Sequence, residues 1–118
     1  RSRVSLDSEE LPMKIGLLGF GVVGRGVYDI VRQRDDMEIA KVVCLEDVTL
    51  PDAIVTKNFE DVLTDDTIDT VIEAMGGTGL AYKFVRAAME AGKNIVTTDS
   101  FANAVKMASQ MAANNKKG

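Results

Sequence analysis

The chain has 118 residues, of which 46% are apolar and 5% aromatic, and its formal net charge is −4. This length suits one domain with a buried core, and many aliphatic residues with few aromatics suit a parallel sheet covered by helices. The basic residues are scattered, which argues against a nucleic-acid partner. No run reaches the roughly 18 to 20 apolar residues that span a bilayer, which argues against a membrane partner.

The chain start and the metal-binding residue types narrow the class of protein further. Residues 1–12 are polar without periodicity, so we expect a disordered or expression-derived leader before one domain over residues 13–118. A single cysteine, Cys44, and no histidine argue against a disulfide and against a metal site. Cys44 lies in an apolar run, which favours a buried core residue over a reactive thiol. The start lacks a secretion signal, and we expect a cytoplasmic protein.

The first half of the chain predicts strand, turn, helix and strand. Lys14–Leu18 is a short apolar run that leads into glycines, and apolar residues then recur at helical spacing through Arg32. Glu38–Leu45 is rich in β-branched and apolar residues and predicts the second strand. After an acidic loop, Ile54–Thr56 is long enough for a brief third strand.

The second half continues the alternation of helix and strand. Asn58 is placed to cap a short helix over Phe59–Leu63. The elements predicted next are a strand at Thr70–Glu73, a helix from Leu80 onward that ends at the C-cap glycine Gly92, a strand at Asn94–Thr97 and a helix over Ser100–Asn114. The inner face of the helix before Gly92 is predicted from its periodicity as Ala81, Phe84, Val85, Ala88 and Met89.

Strands that alternate with helices imply a parallel sheet, and right-handed crossovers make the doubly wound arrangement the simplest topology. We therefore predict a single α/β domain of three layers with the strand order 3-2-1-4-5. In such sheets the ligand lies beyond the carboxyl ends of the strands where the winding direction reverses. Here that position is beside strands one and four.

The first predicted strand runs into a turn of six residues: Gly19, Phe20, Gly21, Val22, Val23 and Gly24. A G-x-G-x-x-G pattern between a strand and a helix is typical of Rossmann-type domains that bind dinucleotides. In this pattern Gly19 permits the tight turn, Gly21 lets the backbone approach a pyrophosphate, and Gly24 lets the helix pack closely on the strand. The helix N-terminus offers free N–H groups to the anion. The alternative is a turn that only joins strand to helix.

Two acidic residues, Glu46 and Asp47, follow the second predicted strand. An acid at this position accepts hydrogen bonds from the ribose hydroxyls of an adenosine. The nearest downstream basic residue is Lys57, and no downstream arginine is placed to bind a 2′-phosphate, so the sequence favours NAD over NADP as the cofactor. The alternative is that both acids are solvated loop residues.

The ends of the fourth and fifth predicted strands complete the candidate site. The candidate contacts there are Met75, Gly76, Gly77, Thr97, Thr98 and Ser100. The two glycines let the backbone pass close to a flat ring or a ribose. The alternatives are an ordinary turn after the fourth strand and a helix N-cap at Asp99 or Ser100 after the fifth.

Three stretches, Lys14–Val27, Asp66–Gly77 and Ala88–Thr97, resemble the cofactor domain of homoserine dehydrogenases. The most specific parts are a Glu-x-Met-Gly-Gly strand end and a later Ala-Gly-Lys-x-Ile-Val-Thr segment. The resemblance implies an NAD(P)-dependent oxidoreductase that interconverts aspartate semialdehyde and homoserine in amino-acid biosynthesis. It also implies that the cofactor's pyrophosphate lies on Gly19–Val23.

The sequence departs from this family at one functional position. The family's fifth strand leads into a lysine near the reacting carbonyl, and the resemblance aligns Ser100 with that lysine. A serine hydroxyl offers only a neutral hydrogen bond where an ammonium group donates a proton, so we assign no catalytic residue. The segment Ser100–Asn103 is similar to aspartate-dehydrogenase-like proteins, which gives a second interpretation of the substrate.

Length is the other departure from the family. Its members continue into a domain for substrate binding and dimerisation, so the resemblance implies a missing domain or partner chain. We therefore expect the chain to be inactive alone, and association into a homo-oligomer is a further hypothesis. A non-catalytic regulatory module that binds a dinucleotide is the alternative from another functional class.

Overall fold

The computed structural model of this protein describes residues 12–75 and 79–97. Its elements in chain order are β1 (Met13–Leu18), α1 (Val22–Arg32), β2 (Met37–Val43), β3 (Ile54–Thr56), α2 (Glu60–Leu63), β4 (Thr70–Glu73), α3 (Gly79–Glu90) and β5 (Asn94–Thr97). Several predictions lie outside the described residues, namely Gly76, Gly77, Thr98, Ser100, the last helix and all but the last residue of the leader over residues 1–12.

All five strands run parallel in one sheet with the order β3-β2-β1-β4-β5, which confirms the predicted order. β1 lies at the centre, where Leu17 pairs with Val42 of β2 on one side and with Ile72 of β4 on the other. The chain winds outwards from β1 to β3 and then returns to β4 and β5. The winding direction therefore reverses between β1 and β4, the position at which such sheets bind ligands.

Helices cover both faces of the sheet, which confirms the predicted three layers. On one face, Val27 of α1 shares a core cluster with Ile15 and Leu17 of β1. On the other face, Val62 of α2 shares a second cluster with Leu18. The alternation of β1 residues between the two clusters follows from the twofold period of a strand. In the described part of the chain, no helix is long and apolar enough to cross a membrane.

The prediction for the end of the second strand was wrong by two residues. β2 stops at Val43, and Cys44 and Leu45 lie beyond it. Cys44 is half-buried rather than part of the core, and the Leu45 side chain is 78% exposed. An apolar run in a sequence does not distinguish a buried strand from an apolar loop that lines a cleft, which explains the error.

One residue of the predicted inner face of α3 was also wrong. Ala81 and Ala88 are buried, and Phe84 and Val85 are half-buried, as expected for one face of a helix. Met89 is 64% exposed. Consecutive helical residues are about 100° apart, so burial of Ala88 turns its neighbour towards solvent.

The joint between β1 and α1 depends on two glycines. Gly19 has a φ of 98°, a left-handed conformation that residues with a side chain rarely adopt. A Cβ atom at Gly24 would lie 2.1 Å from the Gly19 carbonyl oxygen. The first turn of α1 therefore packs directly on the backbone at the end of β1, a contact that only a glycine allows.

The turn before β4 is held by the side chain of Asp65. Its Oδ1 atom accepts hydrogen bonds from the Thr67 hydroxyl at 2.6 Å and the Thr67 N–H at 2.9 Å. The Lys41 ammonium lies 3.1 Å from its Oδ2 atom. The hydroxyl bond, then the backbone bond, and then Lys41 lower the pKa of Asp65 to about 2. The turn is therefore tied both to itself and to β2.

We expect the stability of the protein to fall as the pH drops from about 4 to about 2. The pKa of Asp65 is about 2 in the fold against a usual value of 3.8, so its contribution is present above pH 4 and is lost as the carboxylate is protonated. Asp65→Asn should lower the free energy of unfolding at pH 7 by about 1 to 2 kcal/mol and flatten this acid limb. Urea unfolding across pH measures both, and the exposed neighbour variant Asp66→Asn is the control. An unchanged acid limb in Asp65→Asn would contradict the assignment.

We expect Gly24→Ala to lower the free energy of unfolding by about 2 to 3 kcal/mol, because the added methyl group meets backbone that cannot move aside. Gly21→Ala is the matched control, since a Cβ at Gly21 meets no described atom within 4 Å. It should cost under about 1 kcal/mol. Thermal unfolding of both variants is the measurement, and equal losses would show that the close contact at Gly24 is not needed.

Candidate functional site

A cleft of about 260 Å³ opens at the carboxyl ends of β1, β2 and β4. The residues that line it are Gly19, Phe20, Gly21, Val43, Cys44, Leu45, Glu46, Lys57, Met75 and Phe84. Five of them, Gly19, Phe20, Gly21, Glu46 and Met75, are candidate site residues from the sequence. The cleft lies where the winding direction reverses, so the topology and the motif point to the same place.

The glycine loop forms the base of the cleft and presents backbone to it. The Gly19 N–H donates to the Val43 carbonyl at 2.9 Å, which fixes the loop between β1 and β2. The Phe20 side chain is buried and packs edge-on against Tyr28, with the ring centroids 5.8 Å apart. Gly21 is exposed and has open space where a side chain would be. A flat or extended ligand can therefore approach the main chain directly.

The N-terminus of α1 points its free amides at this loop. The helix begins at Val22 after Gly21, no described side chain caps it, and its first turn contains no acid. The Arg25 N–H is the first to bond within the turn, to the Gly21 carbonyl at 2.9 Å. The preceding amides have no intrahelical acceptor, and the helix dipole adds partial positive charge. Of the remaining motif residues, Val22 is 87% exposed, whereas Val23 packs against the core.

Two ion pairs stand at the end of the cleft beyond β2. The Arg25 guanidinium lies 3.8 Å from the Glu46 carboxylate and 4.6 Å from the centroid of the Phe20 ring. The Lys57 ammonium lies 2.6 Å from Asp47, and this hydrogen bond lowers the pKa of Asp47 and raises the pKa of Lys57. Asp47 itself is exposed and does not line the cleft. Two acids and two cations therefore meet at one end of the cleft.

The walls of the cleft are apolar and were largely missed in the sequence. Leu45 projects from the loop after β2, next to Cys44, whose Sγ atom lies 3.6 Å from the Glu46 carbonyl oxygen. Met75 and Phe84 line the opposite wall. No sequence signal separated Leu45 from the strand before it, because its exposure appears only in the structure. An exposed apolar side chain at the mouth of a cleft can pack on a flat ligand. Within the described ranges, no cluster of three His, Cys, Asp or Glu could hold a metal ion.

The end of β5 lies outside the residues that line the cleft. Thr97 is the last residue of β5, is exposed and pairs in register with Glu73 of β4. It does not line the cleft. Glu73 is buried, and its Oε2 atom accepts a hydrogen bond from the Met75 N–H at 2.6 Å. Among the described candidates, five therefore line the cleft, whereas the other five do not: Val22, Val23, Gly24, Asp47 and Thr97.

Comparison with known proteins agrees with this geometry. The profile of the family described as "Homoserine dehydrogenase, NAD binding domain" matches residues 19–118. Homoserine dehydrogenase from Bacillus subtilis is 32% identical over 101 residues, which are 74% of this chain and 23% of that protein. The Synechocystis enzyme is also 32% identical over 101 residues, with 75% of this chain and 23% of that protein covered. This chain thus spans about a quarter of the length of these relatives.

Solved structures give the same relationship. The crystal structure of S. aureus homoserine dehydrogenase at pH 7.0 superposes with a TM-score of 0.67 at 25% identity, covering 89% of this chain and 31% of that one. The profile match covers most of the chain and includes the whole glycine motif. The chain therefore belongs to the NAD-binding domain family of homoserine dehydrogenases.

Proposed function

We propose that this chain holds NAD for a homoserine-dehydrogenase-like oxidoreductase that interconverts aspartate semialdehyde and homoserine in amino-acid biosynthesis. The observation that carries the proposal is the uncapped N-terminus of α1 beside the open backbone at Gly21. Free amides and space for close approach are what a pyrophosphate requires. Membership of the family gives that anion site its ligand class.

The cleft also supports a direction for the bound dinucleotide. With the pyrophosphate over Gly21, the adenosine extends towards β2, where Leu45 offers an apolar contact and Glu46 lies within the lining. The nicotinamide half extends the other way, over the end of β4 at Met75. Gly76, Gly77, Thr97, Thr98 and Ser100 are the proposed contacts beyond it. This orientation follows the general arrangement of ligands at a reversal of strand order.

The charges at the adenosine end support NAD over NADP. Arg25 and Lys57 each have an acidic neighbour, Glu46 and Asp47 respectively, so the four groups together have no net charge. A 2′-phosphate carries up to two negative charges and needs uncompensated cations. A ribose hydroxyl needs only an acceptor, which a carboxylate provides. The pairing of the cations therefore disfavours the phosphorylated cofactor.

The chain binds and orients in this proposal, and the chemical step needs groups from elsewhere. The bound nicotinamide supplies hydride transfer to or from a carbon of the substrate. Ser100 occupies the position at which the family resemblance places a lysine, and this chain spans 23% of the Bacillus subtilis relative. We therefore propose that a further domain or partner chain contributes the substrate site.

We expect NAD to bind to the chain and Gly21→Val to reduce its affinity by about 100-fold or more. The valine side chain would occupy the open space over the loop and force the pyrophosphate away from the helix amides. Isothermal titration of wild type and variant with NAD is the measurement. In the same samples, adding homoserine should give no NADH.

The control for this experiment is Tyr82→Val, which introduces the same side chain at a position of α3 that is 69% exposed and does not line the cleft. It should bind NAD within about threefold of wild type. Equal NAD affinity in wild type and Gly21→Val would refute the proposed pyrophosphate position. Formation of NADH by the wild-type chain alone would refute the need for a further domain.

We expect wild type to bind NAD more tightly than NADP, and the double variant Glu46→Gln/Asp47→Asn to shift this preference towards NADP by about tenfold or more. Removal of both acids leaves Arg25 and Lys57 free to bind the 2′-phosphate. The ratio of the two dissociation constants, measured at one ionic strength, is the readout.

The matched control removes two exposed acids away from the cleft, in Glu60→Gln/Glu90→Gln. It changes net charge by the same amount and should leave the preference within about twofold, because distant exposed charges are screened. A wild-type chain that prefers NADP, or equal shifts in both double variants, would overturn the assignment of the acids.

A further inference from the structure

Glu73 is the one charged side chain that is buried in the described part of the chain. It ends β4 with an exposure of 2%, directly beside the end of β1, where it pairs in register with Leu18. A buried carboxylate costs free energy unless hydrogen bonds compensate it. An apolar side chain at this buried strand position would avoid the cost of desolvation. The presence of a carboxylate therefore indicates a specific role.

The bond that Glu73 accepts fixes the backbone just after β4. The Met75 N–H donates to its Oε2 atom at 2.6 Å, and the Ala74 N–H donates to the Leu18 carbonyl at 2.9 Å. These two bonds hold consecutive amides of one turn. A carboxylate acceptor makes the first bond stronger than a neutral group would.

This turn is in contact with the first glycine of the motif. A Cβ atom at Gly19 would lie 2.9 Å from the Met75 Cγ atom and 3.0 Å from the Ala74 carbonyl oxygen. Met75 also lines the cleft, on the side along which the proposed path of the nicotinamide half runs. The carboxylate of Glu73 thus sets the place of the wall through its bond to Met75.

We propose that Glu73 is a positioning residue for the nicotinamide half of the cofactor, acting through the Ala74–Met75 turn. The inference rests on the proposed function, because it assumes that a dinucleotide occupies the cleft. It assigns to Glu73 no contact with the adenosine or the pyrophosphate, which lie over β1 and β2. Loss of the carboxylate therefore affects NAD more than a ligand that lacks the nicotinamide nucleoside.

The test compares NAD with ADP as titrants of the full chain. In Glu73→Leu, the affinity for NAD should fall by about tenfold or more, while the affinity for ADP changes by less than about twofold. Glu73→Gln keeps an acceptor oxygen for the Met75 N–H and should recover most of the NAD affinity. Hydrogen exchange of the Met75 amide without ligand should be faster in Glu73→Leu than in wild type and close to wild type in Glu73→Gln.

The matched control is Thr70→Val, at the other end of the same strand. Thr70 is buried and its hydroxyl has no hydrogen-bond partner among the described residues, so the variant changes a core position far from the cleft. It should leave the ratio of NAD to ADP affinity unchanged.

Equal losses of NAD and ADP affinity in Glu73→Leu would overturn the positioning role and leave the proposed function intact. If Glu73→Leu does not fold, the Gln variant decides. If the Met75 amide of Glu73→Gln is as protected as in wild type and the ratio of NAD to ADP affinity is unchanged, the positioning role is supported. If that amide is equally protected but the ratio is tenfold lower, the role is overturned. A wild-type chain that binds neither ligand overturns the proposed function together with this inference.

Discussion

The close contact between the first turn of α1 and the end of β1 is the constraint on which the rest of the site depends. Without a side chain at Gly24, the helix approaches the Gly19 carbonyl closely enough to start at the edge of the sheet. Its free amides then face the cleft rather than solvent beside it. The same approach brings Arg25, one turn into the helix, to the loop after β2. One backbone contact therefore determines both where the free helix amides lie and where Arg25 meets Glu46.

The two ends of the cleft are built with different electrostatics. At the end beyond β2, the ion pairs of Glu46 and Asp47 are exposed, and such pairs contribute little to stability because water competes for both partners. A hydroxyl donor can therefore replace water at these carboxylates while the charges of the two pairs stay balanced. At the β4 end, Glu73 is buried and bonded to backbone, so it is not open to such a donor. The first arrangement suits recognition of a polar group, and the second suits a fixed wall.

The sequence contained enough information for the order of the sheet and the position of the glycine loop. Short apolar runs predict buried parallel strands, and the spacing of the glycines predicts a tight turn between a strand and a helix. The end of β2 was not predictable from the same signal, because Cys44 and Leu45 are as apolar as the strand that precedes them. The pair of Arg25 and Glu46 was missed for another reason. It depends on the rotation of α1 and on its distance from β2, which no local pattern encodes.

The family relationship and the geometry together suggest why a cofactor domain can be separate from the chemistry. Contacts to the adenosine and the pyrophosphate are the same before and during hydride transfer, so they lower the dissociation constant without accelerating the reaction. In the proposed function, the described cleft residues from β1 and β2 provide this uniform binding. Acceleration requires groups that act on the reacting carbon, and the match to this chain covers only 23% of the Bacillus subtilis relative. Among the described surfaces, the wall at Met75 lies nearest to the proposed path of the nicotinamide. Cofactor binding and the chemical step would therefore be coupled at this wall.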